Sequence, residues 1–312
     1  MRVGIVGAGG ISSTHVRAAR AIDGVEIVAV HGANSDKAKA LAESAGALAF
    51  DDYDAFLAQP MDMVAIGSPS SLHASQGIAA ARRGLHVLVE KPLDISTARI
   101  DALVDETDRA GVKLGVFFQE RLLPELVALK RRIDNGELGD PLFISGQVMW
   151  YRPPEYYAAS RWRGTREWDG GGALMNQGIH TVDLLQWVFG PVARVAAKTR
   201  TALHAIEVED TAAALLEFAN GATGTIEAST AAYPGFPRRL EVTGTKASVV
   251  HEDPPRPAAV GDATPHRRVF EDFIDAIRAN RPPACDGREG RRSVALVEAI
   301  YRSAQSGGSE KP

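Results

Sequence analysis

The chain has 312 residues, 45% of them hydrophobic and 24% charged, and carries a net charge of −4. That balance suits a globular protein of one large or two medium domains, and excludes the basic surface that nucleic acid or an anionic membrane would require. Its single cysteine, Cys285, excludes an intrachain disulfide and fits a reducing compartment. The N-terminal MRVGIVGAGG has too short an apolar run for a signal peptide. No stretch approaches the roughly 18 apolar residues of a membrane helix, so a cytoplasmic protein is expected.

In chain order, short apolar runs at 3–6, 25–30, 63–67, 86–90 and 114–118 predict strands. Between them THVRAARAI, SDKAKALAESAG, SLHASQGIAAARRG and STARIDALVDETDRAG predict helices, and Gly46, Gly84 and Gly111 supply stop signals. Strands alternating with helices imply a parallel sheet wrapped by helices. LLPELVALKRRIDNG follows as one linking helix, and MNQGIHTVDLLQWVFG as another after the glycine triplet 170–172. Then come RVAAKTRTA, DTAAALLEFAN, ATGTIEAST, RRLEVTG and KASVVHE, strands joined by hairpin-like turns at FANGAT and TGTKAS. Residues 252–265 read as a Pro/Gly-rich loop, and RRVFEDFIDAIRAN and GRRSVALVEAIYRSAQ as closing helices. The expected fold is α/β. A Rossmann dinucleotide-binding domain spans 1–120. An α+β domain with a large, mainly antiparallel open sheet spans 121–312, its terminal helices able to pack back on the first domain.

Gly7, Gly9 and Gly10 follow the first strand and open a helix. In that setting glycine permits the tight turn and the close approach of a pyrophosphate to the helix N-terminus. Ser12 stands where the third glycine of the usual fingerprint would fall. The ribose-binding carboxylate expected near Gly32 is absent, and so is a nearby arginine. Asn34, Ser35 and Lys37 could bond a 2′-phosphate, so the reading for NAD or NADP leans to NADP. Glu90-Lys91-Pro92 ends the strand 86–90 at the edge where open α/β sheets bind ligands. Position alone leaves a surface ion pair and a catalytic role equally open, and a cis Lys91-Pro92 bond would turn the lysine sharply. Asn176, His180 and Asp183 fall at i, i+4 and i+7 of a largely apolar helix. That spacing predicts one polar face, either lining a pocket or forming a satisfied buried network. No cluster has metal-ligand spacing, so no metal is expected.

The segments GAGGIS, AIGSPSSLHASQGIAAARRGLHVLVEKPL, WRGTREWDGGGALMNQGIHTVDLLQWVFG and VFEDFIDAIRANRPP…DGREGRRSVALVEAIYRSA together resemble the glucose–fructose oxidoreductase/inositol dehydrogenase/MocA family, over nearly the whole chain. The resemblance implies an NAD(P)-dependent oxidoreductase acting on CH–OH groups of a sugar, cyclitol or sugar acid, including nucleotide sugars. It implies a homo-oligomer, dimer or tetramer, built through the C-terminal sheet. Lys91 then corresponds to the family's lysine near the reacting carbon, and His180 to its general base. Asp183 matches a further acidic position, or braces the fold. Asn176 is a departure, because many members carry Asp there; it either orients His180 or bonds the substrate itself. Ile11, Ser68, Pro69, Leu72, His73, Glu90, Gln119, Trp162 and Arg163 match positions near the cofactor, with Arg121 beside Gln119 and His73 more structural than catalytic. Arg163 could also clamp an anionic substrate. Tyr151, Arg152, Tyr156 and Tyr157 read either as a sugar-stacking cluster or as interface packing. Two rival functions share this pattern: a nicotinamide-dependent glycosidase and a non-enzymatic dinucleotide or sugar sensor.

Overall fold

The computed structural model describes residues 1–253 and 262–312. Most of the Pro/Gly-rich loop expected at 252–265 therefore lies outside the described residues. The chain divides into two compact units, one of Met1–Leu123 plus the stretch up to Gly290 that carries the penultimate helix, the other of Pro124 through the last strand plus Arg291–Pro312.

The first unit begins β1 (Arg2–Val6), α1 (Gly10–Arg20), β2 (Glu26–His31), α2 (Ser35–Ala45), β3 (Leu48–Phe50), α3 (Tyr53–Leu57) and β4 (Met63–Ile66). It continues α4 (His73–Arg82), β5 (His86–Val89), α5 (Thr97–Ala110) and β6 (Leu114–Val116). The strands form one parallel sheet in the order β3-β2-β1-β4-β5-β6. That order reverses direction between β1 and β4, which makes a crevice at their carboxyl ends. The predicted stops hold: Gly46 and Gly111 close α2 and α5 in the left-handed conformation. β3 and α3 have no counterpart among the predicted elements; at three and five residues they are too short for a period to show.

The second unit contains α6 (Pro124–Asp134), β7 (Pro141–Met149), α7 (Pro154–Ala158), α8 (Ile179–Phe189), β8 (Val192–Arg200), β9 (Thr211–Phe218), β10 (Thr223–Ser229), β11 (Arg239–Gly244) and β12 (Ser248–Glu252). Its sheet runs β12-β11-β7-β10-β9-β8, antiparallel throughout except where β7 lies parallel to β10. Strict alternation in β9 buries Ala212, Ala214, Leu216 and Phe218 and exposes the residues between. α8 lies on the buried face, so close that a Cβ on Gly146 of β7 would meet Thr181 Cγ2 at 2.6 Å. The opposite face exposes Leu142, Phe143, Leu215 and Val250.

Two helices follow, α9 (Thr264–Arg278) and α10 (Gly287–Ser306). α9 belongs to the first unit, where Val269, Phe270, Phe273 and Ile274 join the core around Phe117 and Leu88. Gly115 of β6 makes room for it, since a Cβ there would meet Phe273 Cδ2 at 2.6 Å. Burial of each such phenylalanine stabilises the unit by about 2–3 kcal/mol. Beyond Gly290, α10 belongs to the second unit and ties its Ser303 Oγ to the backbone N–H of Ala197 on β8. Among the described residues no helix is long and apolar enough to cross a membrane.

Candidate active-site residues

In the first unit the predicted cofactor residues gather at the carboxyl ends of the strands. Gly7 adopts φ +106°, donates its N–H to His31 O at 2.8 Å, and has no room for a Cβ, which would meet Gly67 O at 2.7 Å. Gly9 and Gly10 face open space, with nothing within 4 Å of a Cβ at either. α1 starts there with no side-chain cap and no acidic residue in its first turn. Open glycines before an uncapped helix N-terminus are the arrangement a dinucleotide pyrophosphate requires. Ile11, in the same first turn, lies against Gly67, which has no room for a side chain.

The missing ribose carboxylate also has a physical cause. A Cβ on Gly32 would lie 2.9 Å from the Cβ of Ala8 and 3.3 Å from that of Ala38. No side chain fits where the acidic residue usually stands. Asn34 is the N-cap of α2, its Oδ1 accepting the N–H of Lys37 at 2.9 Å, and Ser35 is the helix's first residue.

The Lys91-Pro92 peptide directly after β5 is cis, as expected. Glu90, placed with the cofactor contacts by the sequence reading, turns into the core instead. Its Oε1 lies 2.9 Å from His15 Nε2 and 3.3 Å from His266 Nε2, and its Oε2 accepts the Lys91 N–H at 3.2 Å. Burial opposes the Glu90 charge, but the bonds from the two histidines outweigh it and hold the carboxyl well below the usual range. Burial lowers His15 in turn, against the pull of Glu90. These three residues offer ligand-type atoms within 4.8 Å of one another, a grouping that sequence spacing did not reveal. Hydrogen bonds account for it. His73 fastens the other side: Nδ1 lies 2.8 Å from Pro92 O and Nε2 2.9 Å from Ser68 O. It ties the loop after β4, with Ser68, Pro69 and Leu72, to the turn that carries Lys91. Gln119 and Arg121 sit buried in a 3-10 turn after β6, Arg121 paired with Glu289 at 3.0 Å.

In the second unit the helix predicted from Met175 begins differently. Ala173–Gly178 form a π-helical turn, and the α-helix starts only at Ile179. Such turns recur at functional sites. Glu209 anchors this one: its carboxylate accepts from Gly172 N (3.0 Å), Leu174 N (2.8 Å) and Tyr301 Oη (2.9 Å). Burial raises the Glu209 carboxyl above its ordinary range, the hydrogen bonds pulling the other way.

Asn176 donates from Nδ2 to Asp169 Oδ1 at 2.5 Å and accepts on Oδ1 from Gln177 Nε2 at 2.5 Å. Gln177 Oε1 accepts from Nε and Nη2 of Arg152 at 3.0 and 2.6 Å. Arg163 stacks 4.4 Å above the Tyr156 ring and 5.6 Å from that of Trp162. His180, the second residue of α8, is buried. Asp183 is buried on the same helix and accepts from Ser293 Oγ of α10 at 3.1 Å, the position of a brace. The sequence reading missed His15, His266, Asp169, Gln177, Glu209 and Tyr301. Only Asp169 carried a local signal, an acidic residue directly before three glycines.

This is the architecture of a dinucleotide-dependent oxidoreductase. The model of the oxidoreductase family with an NAD-binding Rossmann fold matches residues 1–118. The GFO/IDH/MocA C-terminal domain matches 126–250, and that oxidoreductase family's C-terminal alpha/beta domain matches 260–311. The chain belongs to the Gfo/Idh/MocA oxidoreductase family. It is 36% identical to the WlbA dehydrogenase of Bordetella pertussis, solved in complex with NADH and UDP-GlcNAcA, with a TM-score of 0.94 over 100% of this chain and 97% of that one. It is 27% identical to the myo-inositol 2-dehydrogenase of Thermotoga maritima over 100% of this chain and 98% of that protein. It is 30% identical to D-xylose 1-dehydrogenase (NADP(+)) 2 of Haloferax volcanii over 99% of both.

Proposed function

We propose that this NAD(P)-dependent oxidoreductase interconverts a CH–OH group and the corresponding carbonyl in a nucleotide-linked sugar acid. The observation that carries the reading is the open glycine turn and the Glu90-Lys91-Pro92 turn at the carboxyl ends of β1 and β5, two strands of one parallel sheet that flank β4, in a chain that also retains His180. The substrate class is supported by the 36% identity to a dehydrogenase bound to UDP-GlcNAcA. For the cofactor we favour NAD(H), supported by the NADH bound to the 36% identical WlbA dehydrogenase; the Asn34 cap uses only Oδ1, so its Nδ2 could still donate to a 2′-phosphate. The apolar open face of the second unit's sheet supports a homo-oligomer, and the single cysteine supports a reducing, cytoplasmic setting.

When bound, the nicotinamide supplies the hydride acceptor or donor. The residues of the chain handle the proton. In the oxidising direction we assign to His180 the role of general base for a hydroxyl proton, and to the Lys91 ammonium that of a donor to an oxygen on which negative charge builds. In the reducing direction His180 returns that proton. Gly7, Gly9 and Gly10 with the N-terminus of α1 would hold the pyrophosphate. Glu90 and His73 fix the turn from which Lys91 projects, and Asp183 braces α8 beneath His180.

The test is to titrate NADH and NADPH separately, then assay a UDP-linked N-acetylhexosaminuronate with the better cofactor. Lys91→Met and His180→Ala should each lower kcat about 10²–10⁴-fold. Binding of neither dinucleotide would refute the reading and favour a sensor, and variants with undiminished turnover would refute the roles given to Lys91 and His180.

A further inference from the structure

Asn176 occupies a position where a carboxylate would be the simpler partner for a catalytic histidine. An asparagine side chain presents two ends of nearly equal shape, one a donor and one an acceptor. What the site meets at residue 176 therefore depends on what fixes the amide. Two charged residues do so here. Asp169 is 1% exposed and its carboxylate can only accept, so the atom of Asn176 facing Asp169 Oδ1 at 2.5 Å has to be Nδ2. The other oxygen of Asp169 accepts the Gly164 N–H at 2.8 Å, which holds the carboxylate in place. At the far end, Arg152 can only donate, so the atom of Gln177 that meets its Nε and Nη2 has to be Oε1. Gln177 Nε2 then points to Tyr156 Oη at 3.0 Å and to Asn176 at 2.5 Å, where it meets Oδ1. Anion, amide, amide and cation form one chain of donors and acceptors with a single consistent polarity.

We propose that Asp169 is a positioning residue for the reaction. It locks the Asn176 amide so that residue 176 offers an acceptor oxygen in a fixed place, with the negative charge of the pair at 169. Asp169 acts through Asn176 and needs no contact with substrate. The inference rests on the proposed dehydrogenase function for its kinetic consequence and is independent of it for its structural one.

The rearranged pair tests it. Asp169→Asn leaves an amide facing an amide, and either can turn over. In the double variant Asp169→Asn/Asn176→Asp the polarity closes again: the new amide at 169 accepts from Gly164 N–H and donates to the new carboxylate at 176, which still accepts from Gln177. We expect Asp169→Asn to lower kcat at least tenfold with NADH affinity unchanged, and the double variant to recover to within about threefold of wild type. Asn176→Asp alone sets two carboxylates 2.5 Å apart. One of them is then protonated near neutral pH, so activity should fall as pH rises through a new ionisation that the double variant lacks. A second readout needs no turnover. In ¹⁵N-edited NMR of the NADH-bound protein, the Asn176 side-chain amide, assigned by its loss in Asn176→Ala, should be protected from exchange in wild type and lose that protection in Asp169→Asn. Unchanged protection in Asp169→Asn would overturn the lock whatever the activity. A double variant as slow as Asp169→Asn, with protection lost as expected, would overturn the role in catalysis. Absent turnover in wild type with protection lost in Asp169→Asn would uphold the lock and refute the proposed reaction alone.

Discussion

Replacing Glu209 by glutamine tests how the π-helical turn below Asn176 is held. The carboxylate accepts three hydrogen bonds, from Gly172 N, Leu174 N and Tyr301 Oη. Glutamine keeps one oxygen and turns an NH₂ toward the other donors, so at least one buried N–H or O–H loses its acceptor. That costs about 1–3 kcal/mol. For a unit of this size about 1 kcal/mol moves the midpoint by about 2–4 °C, so the melting temperature should fall by about 2–12 °C. Tyr301→Phe removes one donor and leaves two in place, so its loss should sit at the low end of that range. The pH dependence carries the sign. Burial raises the folded-state carboxyl of Glu209 above its unfolded value. Its contribution is therefore full below the unfolded value and declines as pH rises through the folded one. The gap between wild type and Glu209→Gln should narrow as pH increases. Thermal unfolding across a pH series measures this, with kcat and NADH affinity beside it: kcat should drop and NADH affinity should hold. An unchanged melting temperature and an unchanged kcat would mean that the turn is held by something else.

Gly7→Ala should abolish tight NADH binding and lower stability by about 1–3 kcal/mol, because φ +106° is strained for alanine and its Cβ would meet Gly67 O at 2.7 Å; fluorescence titration and urea unfolding check both. His15 and Glu90 both have folded-state values below their unfolded ones. The stability they contribute is present above the unfolded values and lost as pH falls through the folded ones. Urea midpoints should therefore hold near pH 7, decline below about 6.5 and decline further below about 4.3; Glu90→Gln should flatten the lower limb and steepen the upper one, because it removes the charge that holds His15 up. Leu215→Asp puts a charge on the exposed face of β9, where Leu215 is 50% exposed, and should shift a sheet-mediated oligomer to monomer in light scattering.

What the sequence made legible followed from burial. Parallel strands covered on both faces read as continuous apolar runs, so β1, β2, β4, β5 and β6 stood out, as did the alternation of β9. β7 carries Ser145, Gly146 and Gln147 in its middle, and that interruption hid it from the list of strands. The π-helical turn was invisible for a different reason: its apolar residues fit an α-helix equally well, and what selects the wider turn is Glu209, over thirty positions downstream. Lys91 and His180 stood out through local context. Their supports did not, because topology gathers them: His15 and Glu90 meet from 75 positions apart, and His266 joins them from beyond the second sheet.

Those supports share a design that explains why they are polar at all. Each proposed catalytic residue has a polar network with a charged group near it in the chain: Lys91 follows Glu90, which is buried with His15 and His266, and His180 lies on the helix that follows buried Asp169 and the half-buried Asn176, Gln177 and Arg152. Apolar residues of similar volume would fill the same space at no greater cost, because taking charges out of water roughly cancels what their pairing returns. What apolar packing could not supply is direction. A carboxylate between two imidazoles fixes which ring nitrogens face it. A carboxylate at one end of a chain of amides and a guanidinium at the other fixes which end of each amide is donor and which is acceptor. A single orientation for the groups beside the chemistry is thus what Glu90 and Asp169 supply, and substitutions there should alter turnover more than they alter cofactor affinity.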